Sequence, residues 1–329
     1  MNENRPQETE SLINRLAELT AEKIQEGGEK VEVTHRVVTK NNSVDRHSLS
    51  ITRTDSNVAP QIYVDDIIDD IQEGRMDIDE AVDRVTNIYT HNKGEDIDVP
   101  DINNETAKEN LYAVLINKDT NAQLLQEVPH TVVATDLAIV PRFRVSKNSS
   151  ILVKDKLLPQ IEMTQSEVIE RAISNTRQAN QYDVQSMTDV LSDMMGDDMP
   201  DELTDAVATD ESNEMIIITN KDRHMGAVEL FVNEECKQAV YDKLGEPAYI
   251  IPSSTEELIA LPKSTVDDIQ YLSLLINDVN YTQLQPEEVL SNHPYYMNEN
   301  LEISIPEELL EQDSIVDNMS EKSNLHMAM

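Results

Sequence analysis

The sequence predicts an α+β fold of two small mixed domains, in which short strands and hairpins are packed by amphipathic helices. Two kinds of apolar pattern lead to this class. Leu12, Leu16 and Leu19 recur at the spacing of one helix face. Val31, Val33 and Val37 alternate with other residues, as a half-buried strand requires. Segments of both kinds are short and mixed along the chain, so we expect neither an all-helical nor an all-strand protein.

The first half of the chain shows a helix, a hairpin and then more helices. The first helix should stop at Gly27 and Gly28, and a hairpin should follow over residues 31–53. Two amphipathic helices come next, the second opened by Asp77 with a glutamate three residues on. The spacing around Leu111, Tyr112, Leu115 and Ile116 predicts a further helix.

The rest of the chain alternates between the two patterns. We expect strands at residues 136–145, 151–153, 215–218, 227–230, 249–251 and 258–261. Helices should begin at Thr164, which has a glutamate three residues on, and include a short methionine-rich segment at 187–195. The helix with Cys236 should end at Gly245, and another should present Ile269, Leu272, Ile276 and Val279.

Composition suggests where the domains divide. Nine acids and no Lys or Arg fall between Ser192 and Glu214, and low hydrophobicity with high charge is typical of linkers. The sequence therefore predicts an N-terminal α+β domain at 1–195 and an acidic linker at 196–213. A C-terminal α+β domain at 214–300 and a disordered acidic tail at 301–329 should follow, although 303–310 could dock weakly.

The net charge of the chain restricts the kinds of molecule that it can bind. Sixty-four acids face 26 basic residues, a formal net charge of -38, and no Lys or Arg occurs between Ser264 and Glu321. Direct nucleic-acid binding is excluded, because it depends on basic groups that displace counterions from phosphates. The single cysteine, the absence of a signal-like N-terminus and the absence of a long apolar run predict a cytoplasmic protein without membrane attachment.

Motifs for cofactors and metals are missing from the sequence. Phosphate-binding loops need clustered glycines, and the seven glycines of this chain are scattered apart from one pair. No histidine pairs with a cysteine at metal-ligand spacing, and no H-E-x-x-H or G-x-S-x-G occurs. We therefore expect no bound cofactor and no metal, and the sequence leans away from an enzyme.

A few residues are still candidates for chemistry. Ser253 and Ser254 could supply a nucleophile with His224 and Asp222, but the two serines equally suit a turn cap. Cys236 could pair with His224 or His293, although free cysteine is more often a small buried residue. Acids at 197, 198, 201 and 202 could bind a divalent cation, and two acid pairs at 65–66 and 69–70 share a helix face. His35 falls on an apolar strand face and reads as a packed histidine.

Several stretches together resemble a known family. They are ENLYAVLINKDTNAQLLQEVPHTVVATDLAIV at 109–140, ITNKDRHMGAVELF and AYIIPSSTEELIALP within 215–262, and VNYTQLQPEEVLSNHPYY at 279–296. With the KNNSV turn and QIYVDD, they resemble the domain of unknown function 5688 family, a bacterial family found chiefly in Firmicutes, over residues 10–297. The resemblance implies no catalytic or ligand residues. Pro141 and the basic residues around Phe143 depart from it, and proline puts the length of that strand in question.

Three hypotheses about function remain open. The leading one is a non-enzymatic cytoplasmic accessory protein that binds another protein, with a basic surface as the expected partner. The second is an acidic DNA mimic that inhibits a DNA-binding or restriction enzyme, and whose binding should collapse as salt rises. The third is an enzyme with an unrecognised Ser/His/Asp site. The oligomeric state does not follow from the sequence.

Overall fold

The computed structural model describes residues 5–54, 56, 59–93, 102–146, 149–190 and 215–310. The fold is of the α+β class, as the sequence predicts. The chain forms two compact units, Met1–Val99 and Pro100–Met329. No helix within the described residues is long and apolar enough to cross a membrane.

The first unit packs helices against a small antiparallel sheet. Helix α1 (Arg5–Glu26) precedes strands β1 (Val31–Thr39), β2 (Asp45–Arg53) and β3 (Gln61–Tyr63), which lie in the order β1-β2-β3. Helices α2 (Asp65–Gln72) and α3 (Ile78–Asn92) follow. The buried core joins these elements through Ile13, Leu16, Leu49, Ile51, Ile68, Val85 and Tyr89.

Local signals set the ends of these elements. Helix α1 ends just before Gly27, as expected, and Gly28 takes a positive φ of 91° that glycine tolerates well. Residues 31–53 form the expected hairpin, in which Val31 pairs with Arg53. Asp77 and Glu80 form a full capping box at the start of α3.

The second unit contains two sheets. Helix α4 (Asn104–Asn110) leads into β4 (Leu111–Asn117), which pairs with β6 (Leu137–Ser146). Strands β5 (Thr131–Val133) and β7 (Ser149–Leu152) both pair with β6. The short helix α5 (Leu158–Ile161) and helix α6 (Gln165–Ala179) follow, and α6 begins at the expected capping box of Thr164 and Glu167.

The six-stranded sheet is built from both sides of the acid-rich stretch. Its order is β13-β12-β10-β11-β9-β8. The strands are β8 (Tyr182–Ser186), β9 (Ile216–Asn220), β10 (Ala248–Ile251), β11 (Leu258–Pro262), β12 (Tyr295–Met297) and β13 (Ile303–Ser304). Helices α7 (Glu229–Val232) and α8 (Glu234–Leu244) come between β9 and β10, and α9 (Ile269–Gln283) comes between β11 and β12.

The two faces of this sheet pack against different clusters. Ile250, Ala260 and Tyr295 point into the main core of the unit. Tyr249 and Tyr296 point the other way and pack with the buried face of α9, which contributes Leu272 and Ile276. Helix α9 is therefore held by a small apolar cluster on the outer face of the sheet.

Pro141 lies inside a strand that continues through it. It pairs in register with Ala113 of β4, and its carbonyl accepts from the amide of Val153 at 3.1 Å. On that side of β6, the pairing with β5 ends at Ile139 and the pairing with β7 begins at Arg142. The proline thus sits between two partner strands, where its missing N–H leaves no ladder bond unmade.

Two segments differ from the sequence prediction. Residues 111–117 form a strand rather than a helix, because both of its faces are buried: Leu115 packs in the main core and Val114 in a second cluster. A strand buried on both faces reads as a continuous apolar run, which periodicity alone does not distinguish from a helix. Residues 227–230 form a 3-10 turn and the start of α7 rather than a strand.

The domain division also differs from the predicted one. Strands β8 and β9 flank the predicted linker yet pair antiparallel, with Tyr182 opposite Asn220. Leu115 and Ile218, from either side of it, share one core. The predicted linker at 196–213 therefore does not separate two units among the described residues, and 196–213 themselves lie outside them. Of the predicted tail, Ile303 and Ser304 form β13, whereas 311–329 lie outside the described residues.

Candidate functional site

The four residues proposed for a Ser/His/Asp site have other partners. Nδ1 of His224 lies 3.3 Å from Oε2 of Glu256, and Asp222 lies 3.9 Å from Arg144. Oγ of Ser254 accepts the amide of Glu256 at 3.1 Å, which is the turn-capping role that the sequence also allowed. Among the described residues, no hydrogen bond joins Ser253 or Ser254 to His224.

A tight loop explains why His224 meets a glutamate. The amide of Gly226 donates to the carbonyl of Glu256 at 3.0 Å, and Oγ1 of Thr219 donates to the same oxygen at 2.8 Å. A Cβ on Gly226 would come within 2.5 Å of the Asn220 nitrogen, so only glycine fits there. The loop thus wraps Glu256, whose carboxylate also accepts the amide of Met225.

Cys236 does not have the surroundings of a nucleophile. It is fully buried, and burial, followed by the nearby carboxyl of Glu229, raises the pKa of its thiol. A reactive cysteine needs the opposite shift, because the thiolate is the nucleophile. Glu229 is itself only 2% exposed, and burial raises its pKa to about 7.

The acidic candidates divide into two groups. Acids 197, 198, 201 and 202 lie outside the described residues. On α2, Asp65 accepts the backbone amide of His47 at 3.1 Å, and Asp70 binds Arg75 and Arg84. Within the described residues, no group of three or more His, Cys, Asp or Glu could hold a metal ion.

His35 is a packed histidine with a polar partner. Its Nε2 lies 2.9 Å from Nδ1 of His47, and the pair sits on the β1–β2 hairpin. Burial, followed by the neighbouring His47, lowers the pKa of His35. The short contact needs one donor and one acceptor nitrogen, so at least one ring is neutral.

The first unit also has an open hollow of about 680 Å³ beside Gly28, Val31 and Arg53. Glu29 at its edge is already bonded to the hydroxyl of Tyr89 at 2.8 Å and to Lys93 at 2.5 Å. The ammonium of Lys93 lowers the pKa of Glu29. The carboxylate of Glu29 is thus engaged within the protein, and it is not available to bind a ligand in the hollow.

In the part of the second unit that the structure describes, the buried carboxylate of Asp136 accepts hydrogen bonds from three side chains. It accepts from the hydroxyl of Tyr295 at 2.9 and 3.0 Å, from Nε2 of His293 at 3.0 Å and from the hydroxyl of Ser291 at 3.3 Å. Burial, followed by the charge of Asp136, raises the pKa of Tyr295, which keeps it a phenol that donates. We call Asp136, Ser291, Asn292, His293 and Tyr295 the polar clasp.

The geometry of the clasp differs from that of a catalytic triad. In a triad the histidine lies between the serine and the acid. Here Ser291 and His293 both donate to the same oxygen of Asp136, and Ser291 is 4% exposed. Nδ1 of His293 faces the carbonyl of Pro294 at 3.1 Å, so a protonated ring donates to both acceptors whereas a neutral ring donates to one. The arrangement fastens a segment of chain rather than activating a hydroxyl.

The other side of the clasp holds helix α9. Nδ2 of Asn280 donates to the carbonyl of Ser291 and to Oδ1 of Asn292, both at 2.9 Å. One turn earlier, Nδ2 of Asn277 donates to the carbonyl of Asn292 at 2.9 Å. The segment 291–295 therefore joins α9 to Asp136 at the start of β6.

The outer face of α9 is apolar. Five large side chains on it are exposed, and they are Tyr271 at 60%, Leu274 at 67%, Leu275 at 42%, Val279 at 50% and Tyr281 at 90%. The buried face is supplied by Leu272, Ile276 and Asn280. Large apolar side chains that lie together on an exposed helix face are typical of a contact surface. We call the five exposed residues the α9 face.

The stretch of sequence that contains α9 carries acidic residues and no Lys or Arg. From Ser264 to Leu310 there are nine Asp or Glu and no Lys or Arg. Asp268 caps α9 by accepting the amides of Gln270 and Tyr271. Asp278 lies within the exposed face, and among the described residues its carboxylate contacts no basic side chain. The helix thus presents apolar groups among carboxylates.

Sequence reasoning identified the segments of this site but not their association. It placed α9 correctly and put Val279 in one apolar set with Leu272 and Ile276, but Val279 is exposed and Asn280 is buried. The signal that was available is the presence of Tyr and Leu at positions of this helix outside the stripe of Leu272 and Ile276. Asp136 and Tyr295 are 159 residues apart, and nothing in one sequence indicates that they meet.

Comparison with known protein families identifies a family for most of the chain. A model of DUF5688, described as a family of unknown function, matches residues 9–299. No curated protein and no solved structure shows significant similarity to the chain.

Proposed function

Since the chain belongs to the DUF5688 family, for which no function is known, we propose from its structure that it is a non-enzymatic accessory protein of the bacterial cytoplasm that binds another protein. The α9 face is the binding surface in this proposal. The observation that carries it is the exposure of five large apolar side chains on one 15-residue helix.

Exposure of this kind has an energetic cost in a protein that works alone. Burying apolar surface stabilises by about 25 cal/mol per Å², so a face of Tyr, Leu and Val left in water forgoes that gain. Contiguous apolar patches with polar surroundings are typical of interaction sites, and tyrosine is enriched at the centres of interfaces. A 15-residue helix is about 22 Å long, which is enough for one contact surface.

The polar clasp supports the same proposal. Interfaces bind better when their surface is already rigid, because less conformational entropy is lost on association. Asn277 and Asn280 fix α9 to the segment 291–292, and Asp136 fixes that segment to β6. The clasp gives the α9 face a defined position without using any of its exposed apolar groups.

The experiment is affinity capture with full-length protein and two variants. Leu274→Ser removes an apolar group that is 67% exposed, so it should lose the partner while folding normally. Val132→Ser is the matched control, because Val132 is 48% exposed on β5 rather than on α9. Quantitative mass spectrometry should find the same specific partner with wild type and the control. Equal recovery with Leu274→Ser would contradict the assignment of the α9 face.

Salt separates this proposal from the DNA mimic. A mimic binds through its many carboxylates, so raising salt from about 0.1 M to about 1 M shortens the Debye length from about 10 to about 3 Å and should release its partner from every variant alike. Apolar docking should persist at high salt and depend on Leu274. The placement of His224 against Glu256 gives no support to the alternative of a Ser/His/Asp enzyme.

A further inference from the structure

We propose that the partner docks an amphipathic helix on the α9 face and inserts a Lys or Arg side chain that pairs with Asp278. This inference rests on the proposed function and names the chemistry of the partner. It follows from the position of one carboxylate within the apolar face and from the charge of the surrounding chain.

Asp278 lies in the middle of the exposed face rather than at its edge. It comes one turn after Leu274 and Leu275 and one turn before Tyr281, and residues three and four apart are neighbours on a helix surface. Its side chain is exposed. The neighbouring hydroxyl of Thr282 donates to the backbone carbonyl of Asp278, so it does not occupy the carboxylate.

Any apolar partner that covers Leu274 and Tyr281 must also cover Asp278. A carboxylate removed from water without a partner is strongly unfavourable, whereas one paired with a cation and hydrogen-bonded is tolerated. Asp278 therefore rejects purely apolar partners and selects those with a basic group at the matching place. This is the usual way in which a buried charge supplies specificity.

The charge of the whole molecule decides between a partner and a second copy. A second copy brings another net charge of -38, and its α9 has no Lys or Arg that could pair with Asp278. A cationic helix is attracted by the nine acids between Ser264 and Leu310. A helix is the fitting shape, because side chains spaced three and four apart on α9 form ridges that pack into the grooves of another helix.

The test uses defined peptides with the full-length chain. The probe is a fluorescent 18-residue amphipathic helix of Leu and Lys, and its counterparts replace every Lys by Gln or by Glu. Fluorescence anisotropy is measured at about 0.15 M salt, where the Debye length is about 8 Å. Asp278→Asn is compared with Asp79→Asn, which removes the same charge from an exposed position of α3.

We expect the Leu–Lys peptide to bind wild type and Asp79→Asn with equal affinity. It should bind Asp278→Asn and Leu274→Ser at least ~10-fold more weakly, which corresponds to about 1.4 kcal/mol of binding free energy. Loss with Leu274→Ser but equal or tighter binding with Asp278→Asn would overturn the pairing and leave the proposed function standing. Equal binding by all variants would mean charge attraction only, and it would overturn both. Preference for the Leu–Gln peptide, or a dimer in sedimentation, would overturn the choice of a cationic helix.

Discussion

A buried glutamate and a partly buried histidine respond to pH in opposite directions. Glu229 in the second unit has a raised pKa, because burial penalises its charged form. His35 in the first unit has a lowered pKa, also through burial, because its charged form is the protonated one. Acidification therefore removes the unfavourable buried charge of Glu229, whereas it favours the protonated form of His35 that the folded state disfavours.

Glu229→Gln should stabilise the protein at high pH. The carboxyl of Glu229 has a pKa of about 7 in the folded protein and 4.5 ordinarily. The wild-type protein is therefore most stable with respect to this group below pH 4.5, and its free energy of unfolding decreases as pH rises from 4.5 to about 7. Glutamine cannot ionise. The variant should therefore exceed wild type in free energy of unfolding by about 1 kcal/mol at about pH 5.5 and about 3 kcal/mol at about pH 8, measured by urea denaturation.

The control for this comparison is Glu234→Gln, because the side chain of Glu234 is 70% exposed. It should reproduce the pH dependence of wild type. If Glu229→Gln kept the wild-type decline between the two pH values, the buried ionisation would not be its cause.

His35→Gln should remove a loss of stability in acid. A lowered histidine pKa means that the unfolded chain binds more protons below pH 6.5, so the hairpin loses stability as pH falls through that range. Glu10 on α1 and Asp65 on α2 act in the opposite sense, and burial outweighs them. Hydrogen exchange should show that β1–β2 protection factors decline in wild type from about pH 7.5 to about pH 5.5 but stay level in the variant.

His91→Gln serves as the matched change, because His91 is exposed on α3 and its ring forms a hydrogen bond with the carbonyl of Asn87 in the same helix. It should behave as wild type does. If the β1–β2 protection factors of His35→Gln declined as much as those of wild type, groups other than His35 would cause the acid sensitivity.

At the level of the element, the polar clasp makes the position of α9 depend on Asp136, which lies in the turn just before β6. Asp136 accepts from three side chains, and two of its donors flank the segment that Asn280 holds. Asp136 itself follows Ala134 and Thr135, which have φ values of 45° and 77°. A threonine in the left-handed region is strained, so the tight turn into β6 is held by what surrounds it.

Asp136→Ala should loosen the clasp. It leaves the hydroxyl of Tyr295, the hydroxyl of Ser291 and a ring nitrogen of His293 without their acceptor, which should cost about 3 kcal/mol of unfolding free energy. Tyr295→Phe removes one donor and should cost about 1 kcal/mol. Hydrogen exchange should show lower protection in α9 for Asp136→Ala, and a smaller cost than that of Tyr295→Phe would refute this role.

The elements that the sequence predicts correctly are those with local signals. Capping boxes at Asp77 and Thr164, and the glycine at the end of α8, depend on residues within one turn of each other. Strand β4 was missed because its burial on both faces is set by distant parts of the chain. The segment at 227–230 was missed because a run of buried residues fits a helix as well as a strand.

At the level of the whole molecule, charge and apolar surface work together. A net charge of -38 opposes association between copies, so we expect the exposed α9 face to meet a different protein rather than a second copy. The sequence gives the charge directly, and it predicted a partner with a basic surface. It did not predict the proposed docking surface. Which side chains of α9 are exposed depends on how the helix packs on the sheet, through Leu272 and Ile276.

The most direct test of the docking proposal is site-specific photo-cross-linking in cells. A photoreactive amino acid is placed at position 274 on α9 or at position 132 on β5, both of which are exposed in the structure. The account predicts a discrete cross-link to one other protein from position 274 and none from position 132. Cross-links to the chain itself, or the same products from both positions, would contradict it.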